Sequence, residues 1–470
     1  MKSNPFNSFS PKALALAAVS VAALASCSKD QLSQEIADNG SYSQATGISA
    51  KATGEYIVVM KDGTEISSGK RGLPYGRQLE VVRNMAKAVL KENGINGIEL
   101  NDNNTFASLS NGFTARLSKS QLEALKNDDR VAYIEEDMLV AMGKPTSAST
   151  TGTGKGKTKT TDTNTETGGT TTETGGTTTE TNTGGTTTET PTAETTTTGG
   201  TEPVITDNTA VSTQIVCWGV NKIGGTTDGT GKTAWIIDSG IDINHSDLNV
   251  DKTRSKSFLA TTQAGTPSSF TDEFGHGTQV AGVIGAKNNN YGACGVAAGA
   301  TLVSLRVMDA NGSAYVSKIV AALNHVAFYG QAGDVVNLSL GVPPSTTLDD
   351  AVRKVAAKGI FVAIASGNSG ADCTNNSPAR VNATNVFTVS AMNSLGIFES
   401  YSNYGAPVDY AAPGTNIYTT AKGGGYVKSG GTSMAAPHVA GILLVTNGSP
   451  KASGFVTGDK DNTPDPIVSK

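Results

Sequence analysis

Between residues 143 and 203 the chain carries imperfect repeats of the form TTTETGG and almost nothing that a core could hold. A run of Thr, Gly and Glu gains too little from burial to offset the entropy of ordering its backbone. It reads as a disordered linker or stalk whose threonines are open to O-glycosylation. As a coil it would span roughly 40–50 Å end to end. Folded structure must therefore come from the sequence before it, the sequence after it, or both, and 470 residues are in any case too many for one core.

The first piece opens with basic Lys2 and Lys12 and a small apolar run over residues 13–25. That run is too short to span a bilayer and reads as a signal peptide, residues 1–26. It ends Leu24-Ala25-Ser26-Cys27, which resembles the lipobox of bacterial lipoproteins, where the cysteine becomes the lipidated first residue. The resemblance implies a membrane anchor at Cys27, each buried CH₂ contributing about 0.8 kcal/mol, and a place in the bacterial cell envelope, at the outer membrane or surface. Residues 27–50 are polar and aperiodic, a tether. Over residues 51–142 order is expected from about Glu55. Residues 56–60 read as a strand. Leu79, Val82, Ala86 and Val89 recur at helical spacing before Gly94. Residues 106–117 read as one or two strands broken at Asn111-Gly112. Ser118 caps a helix through Lys126 with Leu122 and Leu125 inward, and residues 131–134 are a last strand. This is a small α+β sandwich of the ferredoxin-like kind.

From residue 204 to 470 the composition becomes globular. Apolar runs at 233–237, 334–339, 359–364 and 385–390 alternate with helical patterns at 316–329 and 348–358. Buried strands separated by helices give an α/β layer fold with a mainly parallel sheet. Roughly 260 residues suffice for a substantial core. A net charge of -5 and a pI of about 5.5 give no reason to propose nucleic acid as a partner. The four cysteines, at 27, 217, 294 and 373, exclude a disulfide-dense scaffold.

Three segments of this second piece set an acid, a base and a nucleophile among small residues. Asp238 ends an apolar strand (IDSG), His276 opens a helix (GHGTQVAG), and Ser433 opens another (GTSMAAPHVAG). A serine hydroxyl is a poor nucleophile at neutral pH; it needs a histidine base, and the histidine needs a carboxylate to fix its tautomer. A fourth segment, ASGNSG, places Asn368 after a strand, where its amide can donate to the oxyanion of a tetrahedral intermediate. His438 and His245 read as structural histidines, and His325 as a surface or packing residue.

These four segments, in the order Asp, His, Asn, Ser, resemble the subtilase family of serine endopeptidases, closest to its proteinase K and bacterial alkaline protease branches. VNLSLG, SPAR, SNYG and APGT add to the likeness, which runs from about Gln214 to Gly441. The resemblance implies a subtilisin-like three-layer domain. In it Asp238 orients, His276 is general base and acid, Ser433 attacks and Asn368 binds the oxyanion. It also implies that Ser339, Leu340 and Gly341 pair with the substrate backbone by β-augmentation, and that Ala365, Ser366 and Gly367 help wall the specificity pocket. Gln279 stands where the family often has histidine, and after Val445 the chain turns polar where most relatives continue in helix.

By the same resemblance, the side chains of Gln214, Asp247 and Asn289 and the carbonyls of Lys287, Tyr291 and Ala293 match a structural calcium (Ca2+) site. Asp409, with carbonyls near Asn382 and Thr384, matches a second. Cys217 and Cys294 flank the first site, so a disulfide between them is open if it forms, leaving Cys373 unpaired. Residues 56–60, 112–117 and 131–137 resemble the family's inhibitor-type propeptide. This implies a zymogen cut near Met142 or Gly143, with the propeptide as its own inhibitor, peptides or proteins as substrates, and a monomer. The rival reading is a surface stalk or adhesin with an idle peptidase domain; the four retained positions count against it. A narrow processing protease is a third reading, decided by pocket shape.

Overall fold

The computed structural model describes residues 49–63, 70, 72–142, 213–259 and 269–470. The expected signal peptide, Cys27, nearly all of the tether and the linker lie outside these residues. No helix among the described residues is long and apolar enough to cross a membrane.

Before the linker the chain forms β1 (Ser49–Lys51), β2 (Glu55–Met60), α1 (Tyr75–Glu92), β3 (Thr105–Phe106), β4 (Asn111–Arg116), α2 (Lys119–Lys126), β5 (Val131–Glu136) and β6 (Leu139–Ala141). Four of these strands make an antiparallel sheet in the order β3-β4-β2-β5. The expected helical stripe Leu79, Val82, Ala86 and Val89 is buried along α1, and the turn after it uses Gly94 at φ +70°. Ser118 and Gln121 close a reciprocal capping box at the start of α2.

Two expectations are corrected here. Asn111 and Gly112 open β4 rather than break it. Gly112 is needed for a close approach, since a Cβ there would stand 2.3 Å from the Val58 carbonyl oxygen and 2.4 Å from the Phe106 ring. Strand structure also starts at Ser49, inside the stretch read as tether, because β1 has a partner in β6 that the sequence does not reveal.

After the linker, nine strands build one sheet: β7 (Thr233–Asp238), β8 (Lys256–Ser257), β9 (Thr301–Arg306), β11 (Val335–Leu338), β12 (Phe361–Ala365), β13 (Val386–Met392), β14 (Val408–Pro413), β17 (Lys451–Phe455) and β18 (Pro466–Ser469). β10 (Ser313–Tyr315) lies outside it, and β15 (Ile417–Ala421) pairs with β16 (Gly425–Ser429) as a separate hairpin. The order is β8-β9-β7-β11-β12-β13-β14-β18-β17, parallel except for the last pair. Alternate residues of β7 serve opposite cores. Trp235 and Ile237 face one layer with Ile319, Leu323, Leu348 and Val352; Ala234 and Ile236 face the other with Val280, Ile284, Val439 and Leu443. The helices that supply these side chains are α5 (Val316–Tyr329) and α6 (Thr346–Ala356) on one face, and α4 (His276–Gly285) and α7 (Thr432–Thr446) on the other. α3 (Trp218–Lys222) precedes them. The three-layer α/β domain is as expected. Strand order reverses at β7 and β11, so their carboxyl ends open a crevice.

The same alternation joins the two pieces. In β2, Val58 and Met60 enter the core under α1, while Ile57 and Val59 pack with the α5/α6 layer. Helix does not continue after α7. Asn447 ends it in the left-handed region at φ +51°, and the chain returns as the β17/β18 hairpin on the sheet edge. Val456, Ile467 and Val468 are buried there. Ser390 Oγ donates to Asp465 at 2.5 Å, and Lys470 Nζ donates to the Gly225 carbonyl at 2.6 Å.

Candidate active site

Asp238 ends β7 and His276 begins α4, and α4 can approach that closely because Gly277 has no side chain: a Cβ there would lie 2.1 Å from the Gly240 carbonyl oxygen. His276 Nδ1 stands 2.9 and 3.0 Å from the two Asp238 carboxylate oxygens. A carboxylate only accepts, so Nδ1 carries the proton and Nε2 keeps the lone pair. Both residues are buried, and Nε2 has no hydrogen-bond partner among the described residues. Burial disfavours the imidazolium, but the Asp238 charge and hydrogen bond, with Asp272 behind them, outweigh it and hold His276 above its ordinary value.

Asp272 was not singled out in the sequence. Its Oδ1 accepts from Ser239 Oγ at 2.9 Å and from the Gly275 amide at 2.6 Å; its Oδ2 accepts from the Thr278 amide at 2.9 Å and hydroxyl at 2.6 Å. It thus ties the start of α4 to the end of β7. An acid three residues before a helix-opening Gly-His was the available signal.

Ser433 lies in the first turn of α7, near the positive end of its dipole. Its hydroxyl donates to the Ser339 carbonyl at 3.3 Å, while Ser339 Oγ donates to the Ser433 carbonyl at 2.8 Å and accepts from Asn337 Nδ2 at 2.8 Å. The Ser433–His276 bond is not made in this arrangement. Such bonds commonly close only around a substrate. Asn368 Oδ1 accepts from the Thr432 amide and hydroxyl, which leaves its NH₂ as the available donor. Gly431, at φ +115°, keeps that NH₂ uncovered, as a Cβ would sit 3.2 Å from it.

Of the residues expected to shape the pocket, Ser339, Leu340 and Gly341 follow β11, and Ala365, Ser366 and Gly367 end or follow β12, the strand paired with it. Asn403 was missed, and it holds the second loop. Its Oδ1 accepts from the Ser369 and Ala371 amides at 2.9 and 3.1 Å, and its Nδ2 donates to the Ser366 carbonyl at 3.0 Å. Also missed was β10. The tail β6 pairs antiparallel with it, Val140 opposite Ala314, and the Met142 amide donates to the Gly312 carbonyl at 3.0 Å. Among the described residues, then, the tail's paired strands are β10 and β1, not residues 339–341. Two further carboxylates bind this piece to the helices below. Glu135 accepts from the Thr347 amide and hydroxyl in the first turn of α6, each at 3.0 Å, and Asp137 accepts from the Ser317 amide in the first turn of α5 at 2.9 Å.

The residues named for calcium converge. Gln214 Nε2 donates to the Lys287 and Ala293 carbonyls at 2.8 and 3.2 Å, Asn289 Nδ2 donates to Asp247 Oδ1 at 2.9 Å, and Tyr291 lies on the same loop. Among the described residues no three His, Cys, Asp or Glu side chains gather. A cation here would therefore rest on one carboxylate, carbonyls and the two amides. A half-turn of each amide puts oxygen where nitrogen now sits, so the donor set fits a hard, oxygen-loving ion. Asp409 accepts from the Thr388 amide at 2.8 Å instead of standing open.

Cys217 and Cys294 are not bridged; the described cysteines are free and buried. The reason is direction. Cys217 Sγ accepts from the Tyr418 amide at 3.3 Å, and Cys294 Sγ turns to the Gly295 carbonyl at 3.9 Å. The other histidines are structural, as read. His438 Nδ1 meets the Met434 carbonyl at 2.7 Å and His245 Nε2 the Gly425 carbonyl at 2.9 Å. Of the two readings of His325, surface or packing, the second holds: it is buried among Tyr75, Trp235, Phe258 and Tyr329. Gln279 finds a partner in Ser429, whose hydroxyl donates to it at 2.9 Å.

A buried carboxylate–imidazole pair at a strand end, a helix-opening serine and a fixed amide donor define a serine-hydrolase type of site on a parallel α/β sheet. Residues 229–454 match the subtilase family, and residues 55–142 match the peptidase inhibitor I9 family. The chain is 41% identical over 239 residues to Subtilisin Savinase of Lederbergia lenta, covering 49% of this chain and 84% of that protein. It is 33% identical over 334 residues to Alkaline serine exoprotease A of Vibrio alginolyticus, covering 71% of this chain but only 51% of that protein's length. M-protease of Shouchella clausii (strain KSM-K16) is 40% identical, with 60% of its length spanned. A crystal structure of a cold adapted subtilisin-like serine proteinase matches at 34% identity and a TM-score of 0.47, covering 54% of this chain and 97% of that one. The chain belongs to the subtilase family.

Proposed function

We propose that this protein is the precursor of a serine endopeptidase that hydrolyses peptide bonds and is held latent by its own I9-type segment. The observation that carries the reading is the buried His276–Asp238 pair at 2.9 Å, with Nε2 free to act as base. In the reaction Ser433 Oγ attacks the scissile carbonyl carbon and passes its proton to His276 Nε2. Asp238 stabilises the imidazolium, and the Asn368 NH₂ donates to the oxyanion. His276 then protonates the departing amine, and water repeats the sequence on the acyl-enzyme.

The segment over residues 51–142 acts as inhibitor and folding template, its tail lying along β10. Cleavage falls near Met142 or Gly143. Calcium is the proposed stabilising ion, held by Gln214, Asp247 and Asn289 with the Lys287, Tyr291 and Ala293 carbonyls. What supports it is the convergence of those oxygens and amides. Cys27 is the proposed lipid anchor, so that cutting the chain after the I9 segment and destroying that segment frees the peptidase from the envelope into the surroundings.

The test is covalent labelling with a fluorophosphonate probe together with casein hydrolysis. Label on Ser433, and turnover that disappears in Ser433→Ala and His276→Ala, is the expected result. A folded wild type that neither labels nor hydrolyses casein would overturn the proposal.

A further inference from the structure

β6 is the middle strand of a three-stranded sheet in the order β1-β6-β10. One edge of the tail lies on the peptidase domain. The other is covered by residues from the very start of the described chain, Ser49 opposite Ala141, Ala50 opposite Val140 and Lys51 opposite Leu139. The covering strand is not a loose end. After Lys51 the chain turns through Gly54 at φ +70°, with Thr53 Oγ1 donating to the Asp137 carbonyl at 2.6 Å and the Asp137 amide donating to the Glu55 carbonyl at 2.8 Å. It then runs on as β2 along β5. One arm thus follows the tail and the strand before it from end to end.

We propose that Ser49–Lys51 is a strap that retains the inhibitory tail on the peptidase domain after the chain has been cut, a function that rests on the peptidase reading above. A cut tail paired on one side alone can peel away by losing the bonds to β10. A tail paired on both sides must also part from an arm that is built into the sheet of its own domain. The strap precedes the I9 match at residues 55–142 and follows Cys27, so it couples the proposed anchored end of the chain to latency. Recognition is by backbone pairing.

Pairing geometry makes the test specific. Successive residues of a strand turn their N–H and C=O groups to opposite edges. The Met142 amide and the Met138 carbonyl both bond toward the β10 side, so Leu139 and Ala141 address the strap. Their partners Lys51 and Ser49 donate inward, and the Ala50 amide points away. Proline is tolerated on an edge strand only where its missing N–H faces outward. In the full precursor, Ser49→Pro/Lys51→Pro is expected to shorten the interval between self-cleavage and peptidase activity by about tenfold. Ala50→Pro should leave that interval unchanged. In full-length Ser433→Ala, hydrogen exchange at the Leu139 and Ala141 amides should be slow, accelerate in the double proline variant and stay slow with Ala50→Pro. Equal lag and equal exchange in all three would overturn the strap, as would fast exchange at both amides in Ser433→Ala itself. Failure of the wild type to cleave would instead count against the peptidase reading, and the exchange experiment would still decide the strap.

Discussion

Thr432 fixes Asn368: the amide and hydroxyl of Thr432 donate to the same Asn368 oxygen, at 2.9 and 2.8 Å. Because Thr432 immediately precedes Ser433, one turn of chain positions both the proposed nucleophile and the proposed oxyanion donor. Asn368→Ala is therefore expected to lower kcat about 10²–10³-fold, a magnitude measured in subtilisin itself, with KM little changed. Thr432→Ala removes only the second anchor and should cost less. Steady-state kinetics on a fluorogenic peptide checks both, and a loss confined to KM would contradict the assignment.

The pH dependence follows from the Asp238 carboxylate. His276 is held above its ordinary value against the opposing effect of burial. Only neutral imidazole takes the serine proton, so activity should be present above that raised value and be lost as pH falls through it. Asp238→Asn removes the charge and inverts the tautomer preference, costing about 10⁴-fold in kcat. The acid limb of its residual activity should move to lower pH. A pH–kcat/KM profile of both proteins reads this directly.

Glu135 and Asp137 accept from the otherwise unpaired first-turn amides of α6 and α5. Loss of such a cap costs about 0.5–2 kcal/mol. Glu135→Ala and Asp137→Ala should each shorten latency after cleavage several-fold, measured as the delay before substrate turnover, while leaving the freed peptidase's kcat/KM unchanged.

Calcium should stabilise the folded precursor. Adding a chelator is expected to lower the Tm of Ser433→Ala, and Asp247→Ala should abolish that response, because binding to the folded state alone raises stability by mass action. Calorimetry with and without calcium is the check. An identical chelator response in the Asp247 variant would remove the ion from this site.

The C-terminal hairpin occupies the stretch after Val445 where the sequence turns polar, and it closes the sheet edge with Val456, Ile467 and Val468 buried. Burial of such side chains contributes about 1.5–3 kcal/mol each. Ending the chain after Asn447 should thus lower the Tm of Ser433→Ala substantially, and an unchanged Tm would show that the hairpin is an ornament.

The layer fold and the motif residues were legible because their signals are local. Buried strands announce themselves as apolar runs, and Gly277 and Gly431 sit beside the reactive residues for steric reasons that any chain placing them so must obey. What escaped reading is non-local. β10 and β1 meet the tail by strand pairing between segments far apart in sequence, and Asn403 and Asp272 act by accepting from amides of distant or unremarkable segments. The Cys217–Cys294 pairing failed because neighbouring segments do not fix where two thiols point. The hairpin after α7 has no strong apolar run, since residues 451–455 are all exposed.

The central claim, a working peptidase carrying its own inhibitor, is tested most directly by the intact mass of the precursor, expressed without its signal peptide, beside Ser433→Ala. The account predicts that the wild type splits near Met142 or Gly143 while the alanine variant stays whole. If both stay whole in calcium at neutral to alkaline pH, or both are cut alike, the cleavage is not the work of Ser433 and the account is wrong.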